Sequence, residues 1–117
     1  MTGPKELRIY RTQTGRTPFT DWIDSFKNRE TQERILNRLQ RFAEGNPGTW
    51  RYVGLGVFEL KLPFGPGYRV YYGEAGKSMI LLLWGGDKSS QGRDILKAQA
   101  YWRDYERTPH GTQHSIQ

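Results

Sequence analysis

The chain has 117 residues, of which 35% are hydrophobic and 14% aromatic, and 18 Lys and Arg against 12 Asp and Glu give it a net charge of +6. The absence of cysteine excludes a disulfide framework, a thiol nucleophile and a thiolate metal site. The longest apolar run, residues 79–84, is far shorter than the roughly 20 residues of a membrane helix, and the N-terminus lacks the pattern of a signal peptide. We therefore expect one small, cytoplasmic, basic domain whose charge excess favours an anionic partner.

The N-terminal part of the chain predicts a strand followed by a short helix. Alternation of apolar and polar residues over 6–12 is typical of a strand, and residues 1–5 are expected to fray. Thr17 and Pro18 form the usual start of a helix, in which Thr caps and Pro occupies the first turn. Apolar residues then recur at helical spacing: Phe19, Trp22, Ile23 and Phe26.

A second helix is predicted over about residues 29–44, with Asn28 as its N-cap and Gly45 as its stop signal. Its apolar stripe consists of Ile35, Leu36, Leu39, Phe42 and Ala43. A basic flank runs beside the stripe: Arg34, Arg38 and Arg41. Because the connection between the two helices is short, we expect a helical hairpin.

The second half of the chain predicts a sheet. Apolar or alternating runs over 57–62, 68–73 and 79–84, separated by Gly-rich turns, predict a three-stranded antiparallel meander. The third run is continuously apolar, which is typical of a strand with both faces covered.

A last helix is predicted over about residues 91–106, capped by Ser89 or Ser90. Its apolar face consists of Ile95, Ala98, Trp102 and Tyr105. The element order β-α-α-β-β-β-α predicts one α+β domain over residues 1–107. Residues 108–117, which include both histidines, are expected to form a disordered tail.

Strand alternation assigns the charged residues of the meander to one face. If the apolar residues of the first meander strand pack under the helical hairpin, Glu59 and Lys61 point to the opposite face. The same parity puts Arg69 and Tyr71 beside them on an open face, which the turn carrying Lys88 should overhang. The plain structural alternative is a solvated sheet face in which Glu59 forms a cross-strand ion pair with Lys61 or Arg69.

Residues 59–98 combine several motifs at defined spacing. They are Glu59-Leu60-Lys61, Gly65-Pro66-Gly67-Tyr68-Arg69-Val70-Tyr71-Tyr72, Gly85-Gly86-Asp87-Lys88-Ser89-Ser90-Gln91 and Asp94-Ile95. In these motifs, and in the order of its elements, the chain resembles the HigB-type "addiction module killer" branch of the RelE/ParE toxin superfamily. The resemblance implies a small RelE-like fold, in which a mainly antiparallel twisted sheet packs against a helical hairpin and a C-terminal helix. At position 61 the chain has lysine, where we expect arginine in many relatives. Lysine keeps the positive charge but lacks the planar guanidinium that can hold a phosphate with two hydrogen bonds.

The resemblance also implies an activity, that of a type II toxin that cuts mRNA on the ribosome, and no metal or other cofactor is expected. In such a cleavage the 2′-OH attacks the phosphate, so the site must accept a proton, stabilise negative charge and protonate the leaving 5′-oxygen. Arg69 would bind the scissile phosphate, Lys88 would bind it or donate the proton, and Lys61 would be a second phosphate contact or the base. Glu59 would be the base or would hold Arg69 in place. Tyr71 would stack on a base or bond to a phosphate.

Four further arginines are candidate RNA contacts: Arg34, Arg38, Arg41 and Arg51. Trp50 and Tyr52, which precede the meander, are interpreted as core residues, with contacts at the rim of the site as the alternative. The implied partners are the ribosome, mRNA and a cognate antitoxin of the helix-turn-helix DNA-binding type, with no membrane. Two other functions stay open, a ParE-like toxin that binds DNA gyrase without a nuclease site and a non-catalytic RNA-binding module.

Overall fold

A computed structural model describes residues 3–108. Its elements, in chain order, are β1 (Glu6–Ile9), α1 (Pro18–Asp24), α2 (Arg29–Ala43), β2 (Thr49–Gly54), β3 (Val57–Lys61), β4 (Arg69–Ala75), β5 (Met79–Gly86), a 3₁₀ turn (Lys88–Ser90) and α3 (Gln91–Arg107). The strands form one mixed sheet in the order β1-β5-β4-β3-β2, with β1 parallel to β5 and the other neighbours antiparallel. The predicted α+β class is therefore confirmed.

Two of the predictions from the sequence concern the ends of the chain, a frayed N-terminus and a disordered C-terminal tail. Apart from Thr108, the expected tail lies outside the described residues, as do both histidines. None of the helices in residues 3–108 has the length and apolar character needed to cross a membrane. The expected fraying of residues 1–5 is wrong for Lys5, whose backbone N–H donates to Ala43 O at 2.6 Å. The Lys5 ammonium also lies 3.2 Å from a carboxylate oxygen of Glu74.

The sequence prediction missed one strand, β2, so the meander has four strands rather than three. Trp50 pairs opposite Leu60, and Tyr52 opposite Phe58. A tight turn with positive φ at three consecutive positions, residues 54–56, joins β2 to β3. The first four residues of β2 are all exposed. The alternation of Trp50 and Tyr52 with the polar Thr49 and Arg51 was the available signal for this strand.

One face of the sheet is covered by α1 and α2, as predicted. Their apolar residues and alternate residues of the strands form the first core: Phe19, Ile23, Ile35, Leu39, Ala43, Leu60, Leu62, Val70, Tyr72, Ile80 and Leu82. Helix α1 begins at Pro18 as expected, although the Thr17 side chain makes no capping hydrogen bond to any described residue. Leu36, predicted as part of the α2 stripe, is 45% exposed.

Asn28 caps α2 as predicted, because its Oδ1 accepts hydrogen bonds from the backbone N–H of Glu30 at 2.8 Å and of Thr31 at 3.3 Å. We expect Asn28→Ala to lower the free energy of unfolding by about 1 kcal/mol, since two backbone donors lose their acceptor. Urea denaturation measures the loss, with the exposed Asn37→Ala on the same helix as the matched control. Equal stability of the two variants would contradict the capping role.

The opposite face of the sheet is covered by α3, so the prediction of an open face is wrong over most of its area. The second core consists of Tyr10, Val57, Tyr71, Leu81, Leu83, Ala98, Trp102 and Tyr105. Trp102 packs so closely on β4 that a Cβ at Gly73 would lie 2.3 Å from its ring. The physical reason is that the apolar stripe of α3 must be buried, and the helical hairpin already occupies the first face.

Candidate functional site

One corner of the α3 face stays open, and we call it the basic cleft. It is a depression of about 250 Å³ between strands β2 to β4 and the first residue of α3. Its walls are formed by Thr49, Trp50, Arg51, Glu59, Lys61, Arg69 and Gln91.

Strand pairing brings the predicted residues of the meander together. Glu59 lies opposite Arg51 on β2 and Tyr71 on β4, and Lys61 lies opposite Arg69. All share the α3 face of the sheet, as the alternation predicted. Their exposure differs, because Arg51 and Lys61 are exposed whereas Glu59 and Arg69 are only 4% and 7% exposed. The cleft therefore has exposed cations at its rim and a buried ion pair at its base.

The carboxylate of Glu59 is the centre of a hydrogen-bond network. Oε1 accepts from Arg51 Nε at 2.9 Å, and Oε2 accepts from Gln91 Nε2 at 2.8 Å and from the Tyr71 hydroxyl at 3.1 Å. Burial pushes the pKa of Glu59 upward, but the hydrogen bonds from Arg51, Gln91 and Tyr71 outweigh it and hold the pKa below its ordinary value. Of the two roles considered for Glu59, this arrangement favours orientation of its neighbours over proton abstraction.

Arg69 is held from two sides. Its Nη1 donates to Gly67 O at 2.8 Å, and its Nε lies 3.6 Å from Glu59 Oε2, beyond hydrogen-bond distance. That buried Nε has no hydrogen-bond acceptor among residues 3–108. A guanidinium offers five N–H donors, and an anion can meet Arg69 only on the part of this largely buried side chain that lines the cleft.

Gly67 separates Arg69 from Lys88. A Cβ at this position would lie 3.3 Å from Arg69 Nη1 and 3.4 Å from the Lys88 Cβ, and the φ of +82° favours glycine. The exposed Lys88 side chain therefore begins close to the Arg69 guanidinium, on the other side of Gly67.

The turn carrying Lys88 is held by two carboxylates. Asp87 closes a capping box with Ser90 at the start of the 3₁₀ turn. Ser90 occupies the predicted N-cap position of α3, but its hydroxyl donates to the buried carboxylate of Asp94 rather than capping the helix. A Cβ at Gly86 would lie 1.8 Å from Asp94 Oδ2, so glycine allows this close approach.

Tyr71 does not fit the predicted role of stacking on a base or contacting a phosphate. It is fully buried in the second core, and its hydroxyl donates to Glu59. Burial and the charge of Glu59 raise its pKa well above the ordinary value, so the phenol stays protonated. Strand parity placed Tyr71 correctly on the charged face, but parity does not indicate what covers that face.

The arginines of α2 lie on the other side of the sheet from the basic cleft. Arg34 stacks on Phe64, with its guanidinium carbon 4.2 Å from the ring centroid. Arg38 donates to Pro47 O, and Arg41 is exposed. Arg51 is therefore the one member of this predicted set that lines the cleft.

Three residues of the cleft, Thr49, Trp50 and Gln91, were not among the predicted site residues, although a contact at the rim was the alternative considered for Trp50. Gln91 lies within the motif that follows β5, and its place directly after the Lys88 turn was the available signal. Trp50 was interpreted as core together with Tyr52, but the two are 55% and 57% exposed. The prediction of core packing is wrong because both residues lie on an edge strand, where more than half of each side chain stays uncovered by the described residues.

A comparison with known proteins finds a bacterial protein whose sequence is similar to this chain. The chain is 40% identical over 81 residues to an uncharacterized protein of Haemophilus influenzae, and the match covers 69% of this chain and 82% of that protein. No family model and no solved structure matches the chain. The extent of the match shows that the chain belongs to the same family as this Haemophilus influenzae protein.

Proposed function

We propose that the protein is the toxin of a type II toxin–antitoxin module, with a RelE-like fold, and that it cleaves mRNA on the ribosome in the cytoplasm. The observation that carries the proposal is the basic cleft, which Arg51, Lys61 and the buried Arg69 line and beside which the exposed Lys88 begins. Four cationic side chains, three of them exposed, outnumber the three carboxylates of Glu59, Asp87 and Asp94 at this corner, which favours a phosphate of a polyanion.

In this proposal, Arg69 binds the scissile phosphate and stabilises the charge that builds on it as the 2′-oxygen attacks. The bond from phosphorus to the 5′-oxygen then breaks, leaving a 2′,3′-cyclic phosphate and a 5′-hydroxyl. Lys88 donates the proton to the departing 5′-oxygen, Lys61 contacts the phosphate as a second cation, and the proton of the 2′-OH leaves to water. Glu59 takes no proton because its oxygens already accept hydrogen bonds from Arg51, Gln91 and Tyr71.

The motifs from Glu59 to Ile95 and the order of the elements support the assignment to the HigB-type branch. A toxin of this kind requires a cognate antitoxin, for which a helix-turn-helix DNA-binding protein is our candidate. The exposed cations of the cleft would give an acidic segment of that partner a surface to bind.

The second candidate is a non-catalytic RNA-binding module. The burial of Glu59 and Tyr71 favours it, because a candidate base and a candidate RNA contact do not reach solvent. A phosphate-binding cleft without proton transfer would bind RNA but would not cut it. A ParE-like gyrase inhibitor has less support, since binding alone does not require this cluster of cations around Arg69.

Mapping RNA ends after brief induction tests the proposed function. We expect the wild-type protein to produce new 5′ ends within translated mRNAs and to arrest growth, because the ribosome positions the message in the cleft. Lys88→Ala should remove most of these ends, whereas Lys77→Ala, on the turn at the far end of β4, should not. Growth arrest without new ends, together with altered DNA supercoiling, would instead identify a gyrase inhibitor.

A further inference from the structure

A continuous aromatic surface lies on the α2 side of the sheet, next to the edge strand β2. It consists of Phe42, Trp50, Tyr52, Phe58 and Tyr72. The Phe58 ring lies at the centre, with centroids 5.8 Å from Trp50, 5.2 Å from Tyr52 and 5.5 Å from Tyr72. Neighbouring rings at these distances support each other's orientation, so the outer rings present defined faces.

The outer rings of this surface are accessible. Trp50 and Tyr52 are each more than half exposed, and a cavity of about 410 Å³ opens beside Trp50. Trp50 also lines the basic cleft, so it belongs to the walls of both depressions. Since β2 is an edge strand of the described sheet, a single strand of RNA can pass from one depression to the other around Trp50.

The charges around the aromatic surface favour a polyanion over an apolar peptide. Lys5 lines the cavity, and Arg38 lies beside it, bonded to the Pro47 carbonyl. Lys5 and the Glu74 carboxylate in the cavity wall form an ion pair without net charge, so Arg38 supplies the excess positive charge on this side. On the other side of Trp50, the exposed Arg51 leads into the basic cleft. Exposed rings flanked by cations are the combination by which proteins hold single-stranded nucleic acid.

We propose that Trp50 and Tyr52 form a stacking subsite for an unpaired base of the RNA whose phosphate occupies the basic cleft. The inference rests on the proposed function and adds a second element of substrate binding, a base held outside the cleft at the edge of the sheet. Stacking on a ring face accepts any base, so the subsite fixes the path of the strand rather than its sequence.

Affinity for a short single-stranded 2′-O-methyl oligonucleotide, which lacks the nucleophilic hydroxyl, tests the subsite. Trp50→Ala should weaken binding about 5- to 150-fold, the loss expected when one stacked base loses its ring. Trp50→Phe should retain most of the affinity because a ring face remains. The matched control is Leu96→Ala, which removes another exposed apolar side chain, 68% exposed, from α3.

The salt dependence of the RNA affinity distinguishes base stacking from phosphate contacts. Trp50→Ala should leave the slope of log K against log salt unchanged, because stacking releases no counterion. Lys61→Ala should reduce that slope by about 0.7, the value for one phosphate contact on a single strand. An oligonucleotide that lacks the base at the stacked position should have the same affinity for the wild-type protein and for Trp50→Ala, because no base is left to stack.

Three results would overturn the stacking subsite. If Trp50→Ala binds as tightly as Leu96→Ala while Lys61→Ala binds weakly, the subsite is wrong and the proposed function stands. If Trp50→Ala changes the sedimentation of the protein but not its RNA affinity, the surface is a protein contact. If the wild-type protein does not bind RNA even at low salt, the subsite is wrong, whereas the proposed function is decided by the mapping of RNA ends.

Discussion

Arg69→Ala should lower the rate of RNA cleavage on programmed ribosomes about 10²- to 10³-fold, the usual loss when one preorganised donor to a developing oxyanion is removed. The expectation depends on how Arg69 is held. Its guanidinium is 7% exposed and lies between Gly67 O and the Glu59 carboxylate, so it needs little reorganisation when charge builds on the phosphate. The loss should appear in the rate at saturating ribosome concentration, because the interaction strengthens in the transition state.

Two further variants make the test of Arg69 specific. Arg69→Lys keeps the charge but loses the planar fork, so we expect a rate between those of wild type and Arg69→Ala. Lys77→Ala removes one positive charge at the opposite end of β4 and should cleave at the wild-type rate. Circular dichroism checks that each variant is folded. A folded Arg69→Ala variant with wild-type cleavage would show that the catalytic site lies elsewhere.

Glu59→Ala should lower the free energy of unfolding by about 3–5 kcal/mol, the loss typical of a buried ion pair from which one partner is removed. The variant leaves the Arg69 guanidinium buried without a counterion and the buried Tyr71 hydroxyl without its acceptor. Urea denaturation measures the change. The matched control is Glu74→Ala, which breaks the more exposed ion pair with Lys5 and should cost no more than about 1 kcal/mol.

The role of Glu59 also predicts a pH dependence of stability. Its pKa is lower in the folded protein than the ordinary value of 4.5, so the unfolded chain binds its proton more readily. The stabilisation is therefore complete above the ordinary pKa and is lost as the pH falls through the lower, folded value. Glu59→Gln should lose less stability than the wild-type protein on acidification over this range. Parallel acid profiles for the two proteins would contradict an ionised Glu59 in the network.

Some features of the protein follow from local patterns along the chain. Apolar spacing and the cap at Asn28 were sufficient to predict the helical hairpin, because a helix of this kind is stabilised by contacts within a few residues and by one buried stripe. Alternation along β3 and β4 was sufficient to put Glu59, Lys61 and Arg69 on one face, because successive side chains of a strand point to opposite sides.

Other features depend on residues far apart in the chain. The amphipathic pattern of α3 predicts a helix with one buried face but does not indicate which face of the sheet it covers. Its packing on the same side as Glu59 and Tyr71 converts a predicted open surface into a second core. Gln91 reaches Glu59 for the same reason, since the start of α3 lies above β3. The sequence pattern of a single strand does not indicate a contact with a helix that is distant in the chain.

The amino-acid sequence by itself determined the types of all the longer elements except β2, the parity of the charged residues of β3 and β4, and the positive charge of the protein. Only the tertiary structure decided which of those residues reach solvent, so that Arg51, Lys61 and Lys88 are exposed while Glu59, Arg69 and Tyr71 are buried. It also placed Trp50 and Tyr52 at an exposed edge. The physical reason is that side-chain direction is set by the local backbone, whereas exposure is set by which distant element packs on it.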